Sequence, residues 1–117
     1  EILTNREAIA VDQDSLGIQG LKYLAEDSLE VWFKPLTGGE WAACFLNRSR
    51  LPKKVLFDWK SHKIEDSFSG RAIDFSTSQW RIRDLWAHRE IGTTRKPFSA
   101  EIPSHDVRML RLQPARK

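Results

Sequence analysis

An all-β sandwich over residues 21–117, preceded by one short α-helix within residues 1–20, is the fold that this sequence predicts. Two observations carry the prediction. Short segments alternate apolar and polar residues with a period of two, which is the mark of half-buried strands. Turn signals separate these segments at regular intervals, as in β-sandwiches. A length of 117 residues is right for one domain of this kind.

The elements follow in order. Thr4 with Glu7 three residues later forms a capping-box pattern. Ala8, Ile9 and Val11 then supply an apolar face, with Ile2 or Leu3 as a staple ahead of the cap. Asp14-Ser15-Leu16-Gly17 and Gly20 end the helix within about two turns, so it needs a surface to lie on. Lys22 to Ala25 can add a first strand. Leu29, Val31 and Phe33 alternate with Glu30 and Lys34, and Pro35 to Gly39 breaks the run, with Gly38-Gly39 as a hairpin signal. Trp41 to Leu46 is apolar on both faces, which suits a central strand covered on each side. Val55, Phe57 and Trp59 alternate with Leu56 and Asp58. Lys60 to Gln79 reads as a long connection. Trp80 and Ile82 alternate with Arg81 and Arg83. Phe98, Ala100 and Ile102 alternate with Ser99 and Glu101, and Val107 to Leu112 closes the set.

Four stretches resemble one family. Leu3 to Gly20 (LTNREAIAVDQDSLGIQG) is similar to the segment that leaves the catalytic barrel in α-galactosidases of glycoside hydrolase family 27, whose usual form is close to L-x-N-x-E-x-I-A-x-N-Q-D-P-L-G-x-Q-G. Asp12 stands for the usual Asn and Ser15 for the usual Pro. Trp41 to Ser49 resembles the strand ending in LNRS, Arg83 to His88 resembles RDLWAH, and Ile102 to Leu112 resembles the closing strand VPPHGxxLLRL. The resemblance implies that residues 1–20 are the final helix and exit segment of a (β/α)8 barrel. It implies that residues 21–117 are an antiparallel Greek-key β-sandwich behind it. The chain's start at Glu1 suits a trimmed fragment of such a protein. Ala8, Ile9 and Val11 are then the expected interface with the missing barrel, which is the expected partner.

The resemblance also implies where catalysis lies. Family 27 enzymes are retaining glycosidases, whose two carboxyl groups sit about 5–5.5 Å apart. In the family these are aspartates on barrel strands, upstream of every segment present here. Asp58, Asp66, Asp74 and Asp84 show no pairing in their spacing, so no catalytic residue is expected, and Asp14 and Asp84 are expected to hydrogen-bond in turns. The expected parent hydrolyses terminal α-linked galactose, or N-acetylgalactosamine as the near relative, and is secreted, periplasmic or lysosomal if it follows its family.

Other chemistries find little footing. The formal charge is +3, with Lys and Arg scattered, which speaks for a solvated surface and not for nucleic-acid binding. No apolar run is long enough to span a membrane, and no membrane partner is expected. His62, His88 and His105 lack metal-ligand spacing, no Gly-rich phosphate loop is present, and neither metal nor cofactor is expected. His105 reads as a buried, hydrogen-bonded anchor of the last corner. Cys44 is the single cysteine and reads as a small buried hydrophobe. Asn47-Arg48-Ser49 matches the N-glycosylation pattern.

The five tryptophans admit two readings. Exposed indoles stack sugar rings in carbohydrate-binding modules, whereas buried ones fill cores. Trp41, Trp59 and Trp80 fall in phase with apolar neighbours and are expected in the core. Trp32 is out of phase and faces the other side, toward the barrel or solvent. Trp86 lies in a turn with an expected packing role. Trp32 and Trp86 are the candidate substrate-binding residues if the domain takes galactose or an α-galactoside. The rivals to a supporting domain are therefore a carbohydrate-binding module and a self-associating interaction domain.

Overall fold

The computed structural model describes residues 21–66 and 69–115, and the expected helix with Ala8, Ile9 and Val11 lies outside them. Ten strands run in chain order: β1 Leu21–Glu26, β2 Leu29–Pro35, β3 Trp41–Asn47, β4 Lys53–Phe57, β5 Lys63–Asp66, β6 Arg71–Asp74, β7 Trp80–Asp84, β8 Arg89–Thr93, β9 Phe98–Ile102 and β10 Val107–Pro114. Six form one sheet in the order β1-β2-β3-β10-β7-β8, while β4-β9 and β5-β6 form two-stranded sheets. Every pairing is antiparallel. The chain leaves the large sheet after β3, rejoins it as β7 and β8, leaves again for β9, and comes back as β10 between β3 and β7. That non-sequential return matches the Greek-key expectation.

Local chemistry sets the hairpins. Asp27 and Ser28 both have positive φ, at 55° and 67°, the form that a two-residue turn needs to match strand twist. The β2–β3 turn uses Gly38 and Gly39, both at φ 74°, a region glycine enters without steric cost. Arg71 pins this second turn from β6. Its guanidinium donates to the carbonyls of Leu36 (2.6 Å) and Glu40 (2.8 Å) and lies 5.1 Å from the Trp41 ring centre.

The core lies between the large sheet and the two small ones. Val31, Phe33, Trp41, Ala43, Phe45, Leu110 and Leu112 from the large sheet meet Val55, Phe57, Ile64, Ile73, Phe98 and Ile102. Phe45 packs edge-on against Phe57, with ring centres 5.3 Å apart, and against Trp59 at 6.1 Å.

Three regions depart from the sequence expectations. Trp59 does not continue β4; it sits in a 3-10 turn, Trp59–Ser61, yet it is fully buried. Lys60 to Gln79 is not a plain connection, because it holds β5 and β6, paired from Lys63↔Asp74 to Asp66↔Arg71. β8 was not anticipated, and it forms the charged edge of the large sheet. His105 is a further correction: it is exposed, at φ 57° in a turn, and does not anchor the corner.

Asn47 anchors that corner instead. Its side chain is fully buried at the end of β3. The amide nitrogen donates to the carbonyls of Leu51 (2.9 Å), Ile102 (3.0 Å) and Pro103 (3.2 Å). The amide oxygen accepts from the Ser49 backbone N–H and hydroxyl. A residue buried and consumed in this way does not offer its nitrogen to a glycan, so the Asn-Arg-Ser pattern here is structural. Losing the amide leaves the buried Ile102 carbonyl and the part-buried Leu51 and Pro103 carbonyls short of this donor, at about 1–3 kcal/mol for a buried unsatisfied group. Asn47→Ala is expected to lower stability by about 3 kcal/mol in urea denaturation.

A second tie joins β1 to the small-sheet layer. The Tyr23 hydroxyl and His62 Nδ1 lie 2.7 Å apart, and the imidazole stacks on Phe57 at 4.1 Å and 9°. Burial holds His62 below its ordinary 6.5, against an opposing pull from Asp58. The fold therefore favours the neutral ring. Its contribution is fully present above pH 6.5. It is lost as pH falls below that value, because unfolded chains take up the proton first. The expected outcome is that the urea midpoint drops between about pH 7.5 and pH 5.5, and drops less in His62→Gln.

Candidate functional site

The outer face of the large sheet is the candidate site. Alternation along each strand sends Val31 and Phe33 inward and Trp32 outward, and likewise Ala43 and Phe45 inward and Cys44 and Leu46 outward. β10 adds Val107 and Met109, registered opposite Leu46 and Cys44. Trp32, Cys44, Leu46, Val107 and Met109 are all half-buried and form an apolar centre across three adjacent strands. Beside it, Leu36, Ala42 and Leu85 form a fully apolar cluster of their own, with Met109 packed against it. The large sheet is thus apolar on both faces, while the small sheets contribute to the inner cluster.

Charge surrounds this centre. On the β1 side, Glu30 accepts from the Trp32 indole N–H (3.0 Å), and Arg48 and Lys22 lie 3.3 and 3.9 Å from its carboxylate. The Trp32 hydrogen bond, helped by those two cations, holds the Glu30 carboxyl below its usual value. On the other side Glu40 is clasped by Arg111 and by Gln113 (3.1 Å), and Arg81 pairs with Glu90 (3.4 Å). An apolar centre with a paired polar rim is the anatomy of a protein–protein interface.

The two candidate tryptophans have different surroundings. Trp32 lies in this centre, half-buried, with the Lys22 ammonium 5.4 Å from its ring centre. Trp86 lies at the border, past the end of β7, where its indole N–H donates to the Val107 carbonyl at 2.8 Å. Each ring therefore has a protein partner. The structure does not bring the two together as one platform: Trp32 is on β2, and Trp86 follows β7 on the far side of β3 and β10. Trp41, Trp59 and Trp80 are buried in the core, as expected.

The four aspartates serve turns. Asp58 accepts from the Ser61 hydroxyl, and Asp66 accepts from the Ser69 N–H. Asp74 accepts from both the N–H and the hydroxyl of Ser76, and these bonds hold its carboxyl below the usual range. Asp84 accepts from the N–H groups of Trp86 and Ala87. Asp84 was expected in that role. Glu30, Arg48, Glu40 and Arg111 were not anticipated as a rim. Glu30 is on β2 and Arg111 on β10, while Glu40 and Arg48 flank β3, so sheet register makes these pairs and no local pattern records them.

Comparison with known proteins agrees with this geometry. Residues 26–112 match the family described as the alpha galactosidase C-terminal beta sandwich domain. The chain is 40% identical over 113 residues to alpha-galactosidase A of Cellvibrio japonicus, covering 97% of this chain and 28% of that protein. It is 36% identical over 114 residues to an alpha-galactosidase of Cyamopsis tetragonoloba, covering 97% of this chain and 25% of the relative. Alpha-galactosidase I from Mortierella vinacea superimposes with a TM-score of 0.79 at 23% identity, over 97% of this chain and 28% of that one. The chain belongs to the α-galactosidase C-terminal β-sandwich domain family. It spans only about a quarter of the length of these relatives.

Cys44 lies in the apolar centre, and burial pushes its thiol up to about 11. At pH 8 almost none of it is thiolate. The expected outcome is a reaction with a maleimide at least about tenfold slower in the folded chain than in urea.

Proposed function

We propose that this chain is the supporting C-terminal domain of a retaining α-galactosidase-like glycoside hydrolase, and that the outer face of its large sheet carries the catalytic barrel. Residues 1–20 are the last barrel helix and exit segment in this reading, and residues 21–117 the sandwich. Ala8, Ile9 and Val11 belong to the same interface from the barrel side. The parent acts on terminal α-linked galactose, and this domain contributes no catalytic residue. The observation that supports the reading is the doubly apolar sheet: one face fills the domain's own core, and the other has an apolar centre with a charged rim. An antiparallel sheet with one partner layer ordinarily turns a polar face to water.

Leu46→Glu with Met109→Glu tests this in the full-length protein and in the isolated chain. The half-life of α-galactosidase activity at elevated temperature is expected to fall at least about tenfold, equivalent to about 1.4 kcal/mol. The melting midpoint of the isolated chain is expected to move by less than about 4 °C, because both side chains are half-exposed there. An unchanged half-life in the parent would overturn the assignment of this face.

A further inference from the structure

A second feature lies away from the apolar centre, at the end of the sandwich where the chain passes from β4 to β5, from β6 to β7 and from β8 to β9. These three connections border a solvent-open cavity of about 300 Å³, lined by Lys60, Phe75, Ser76, Thr77, Ser78, Gln79, Thr94 and Arg95. Its size is at the lower end of small-ligand sites.

Among the described residues the lining is rich in donors and contains no carboxylate. Lys60 comes from one connection and Arg95 from another, and neither cationic head has an ion pair or hydrogen bond among the described residues. Thr94 is only 2% exposed. Its hydroxyl oxygen accepts from the Trp80 backbone N–H (3.0 Å), and its hydroxyl proton has no acceptor among the described residues. The Gln79 carboxamide is likewise without a partner there.

The frame is fixed. Ser76, Thr77 and Ser78 all bond to Asp74: two hydroxyls and two N–H groups go to its carbonyl, and one of each goes to its carboxylate. The Trp80 indole N–H donates to the Ser78 hydroxyl (3.0 Å). That carboxylate, the nearest negative charge along the chain, is occupied by Ser76 and does not line the cavity. Two cations and a buried hydroxyl proton without partners among the described residues, on a preset wall, suit one oxyanion through charge-assisted hydrogen bonds.

We infer that this cavity is a binding site for a small oxyanion, a phosphate, sulfate or carboxylate borne on a molecule no larger than a monosaccharide. Lys60 and Arg95 supply the charge, and Thr94 and Gln79 orient the anion. The site shares no residue with the apolar centre of the large sheet.

The test is titration of the isotope-labelled chain at constant ionic strength, followed by amide shifts. The probes are inorganic phosphate, sulfate, a hexose 6-phosphate, a hexuronate and neutral galactose. Saturable shifts confined to residues 75–79, 94 and 95 are expected with at least one anion and not with galactose. The Lys60→Ala, Arg95→Ala double variant is expected to weaken that binding by at least about fivefold, while Lys54→Ala leaves it unchanged. Tighter binding of the hexose 6-phosphate or hexuronate than of the inorganic ions identifies a sugar-borne anion. The reverse order identifies a free one, and either supports the site. Shifts spread over all basic residues, equal binding in the double variant, binding of galactose alone, or no shift at tens of millimolar anion would each overturn it.

Discussion

β10 is bonded to β3 along six registered pairs and to β7 along five, and without it the large sheet separates into two pieces. One piece is the β1-β2-β3 meander and the other is the β7-β8 hairpin. β10 also sets both faces at once. Leu110 and Leu112 face Ala43 and Trp41 in the core, while Val107 and Met109 face Leu46 and Cys44 outside. A slip of one residue would exchange the two sets, so burial on the inner face fixes the register and thereby places the outer apolar centre. Asn47, at the end of β3, secures the chain just before β10 begins by bonding to the Ile102 and Pro103 carbonyls.

This dependence explains why the outer face suits a partner. A strand locked by eleven registered pairs presents a rigid surface, and a rigid surface loses little entropy on association. The rim charges are paired within the domain, so docking need not strip isolated ions of their water. The anion cavity uses the other resource of a sandwich, the connections at one end. There Asp74 converts a serine-rich loop into a fixed wall.

Much of this was legible from the sequence because inward residues repeat at period two in β2, β4, β7 and β9. The displaced phase of Trp32 marked a second face, and the doubly apolar Trp41 to Leu46 run marked the centre of the sheet. β5 and β6 were hidden because each is four residues long and buries one apolar side chain, Ile64 or Ile73, which makes no pattern. β8 was hidden because an edge strand with Ile91 exposed has no inward set to betray it. Trp59 was in phase with β4 but is buried from a turn, where a large indole reaches the core without a strand beneath it. His105 misled because a conformationally special turn residue and a buried anchor look alike in sequence. The Glu30–Arg48 and Glu40–Arg111 pairs of the rim, and the cavity, join residues more than ten positions apart, and only the fold brings them together.

The most direct test of the account is oxidative footprinting of Trp32 and Met109 in the isolated chain and in the full-length protein. The account predicts that both side chains, half-buried in the isolated chain, oxidise at least about tenfold more slowly in the longer protein, because the catalytic barrel covers them. Equal oxidation rates in the two would contradict it and leave the outer face without its partner.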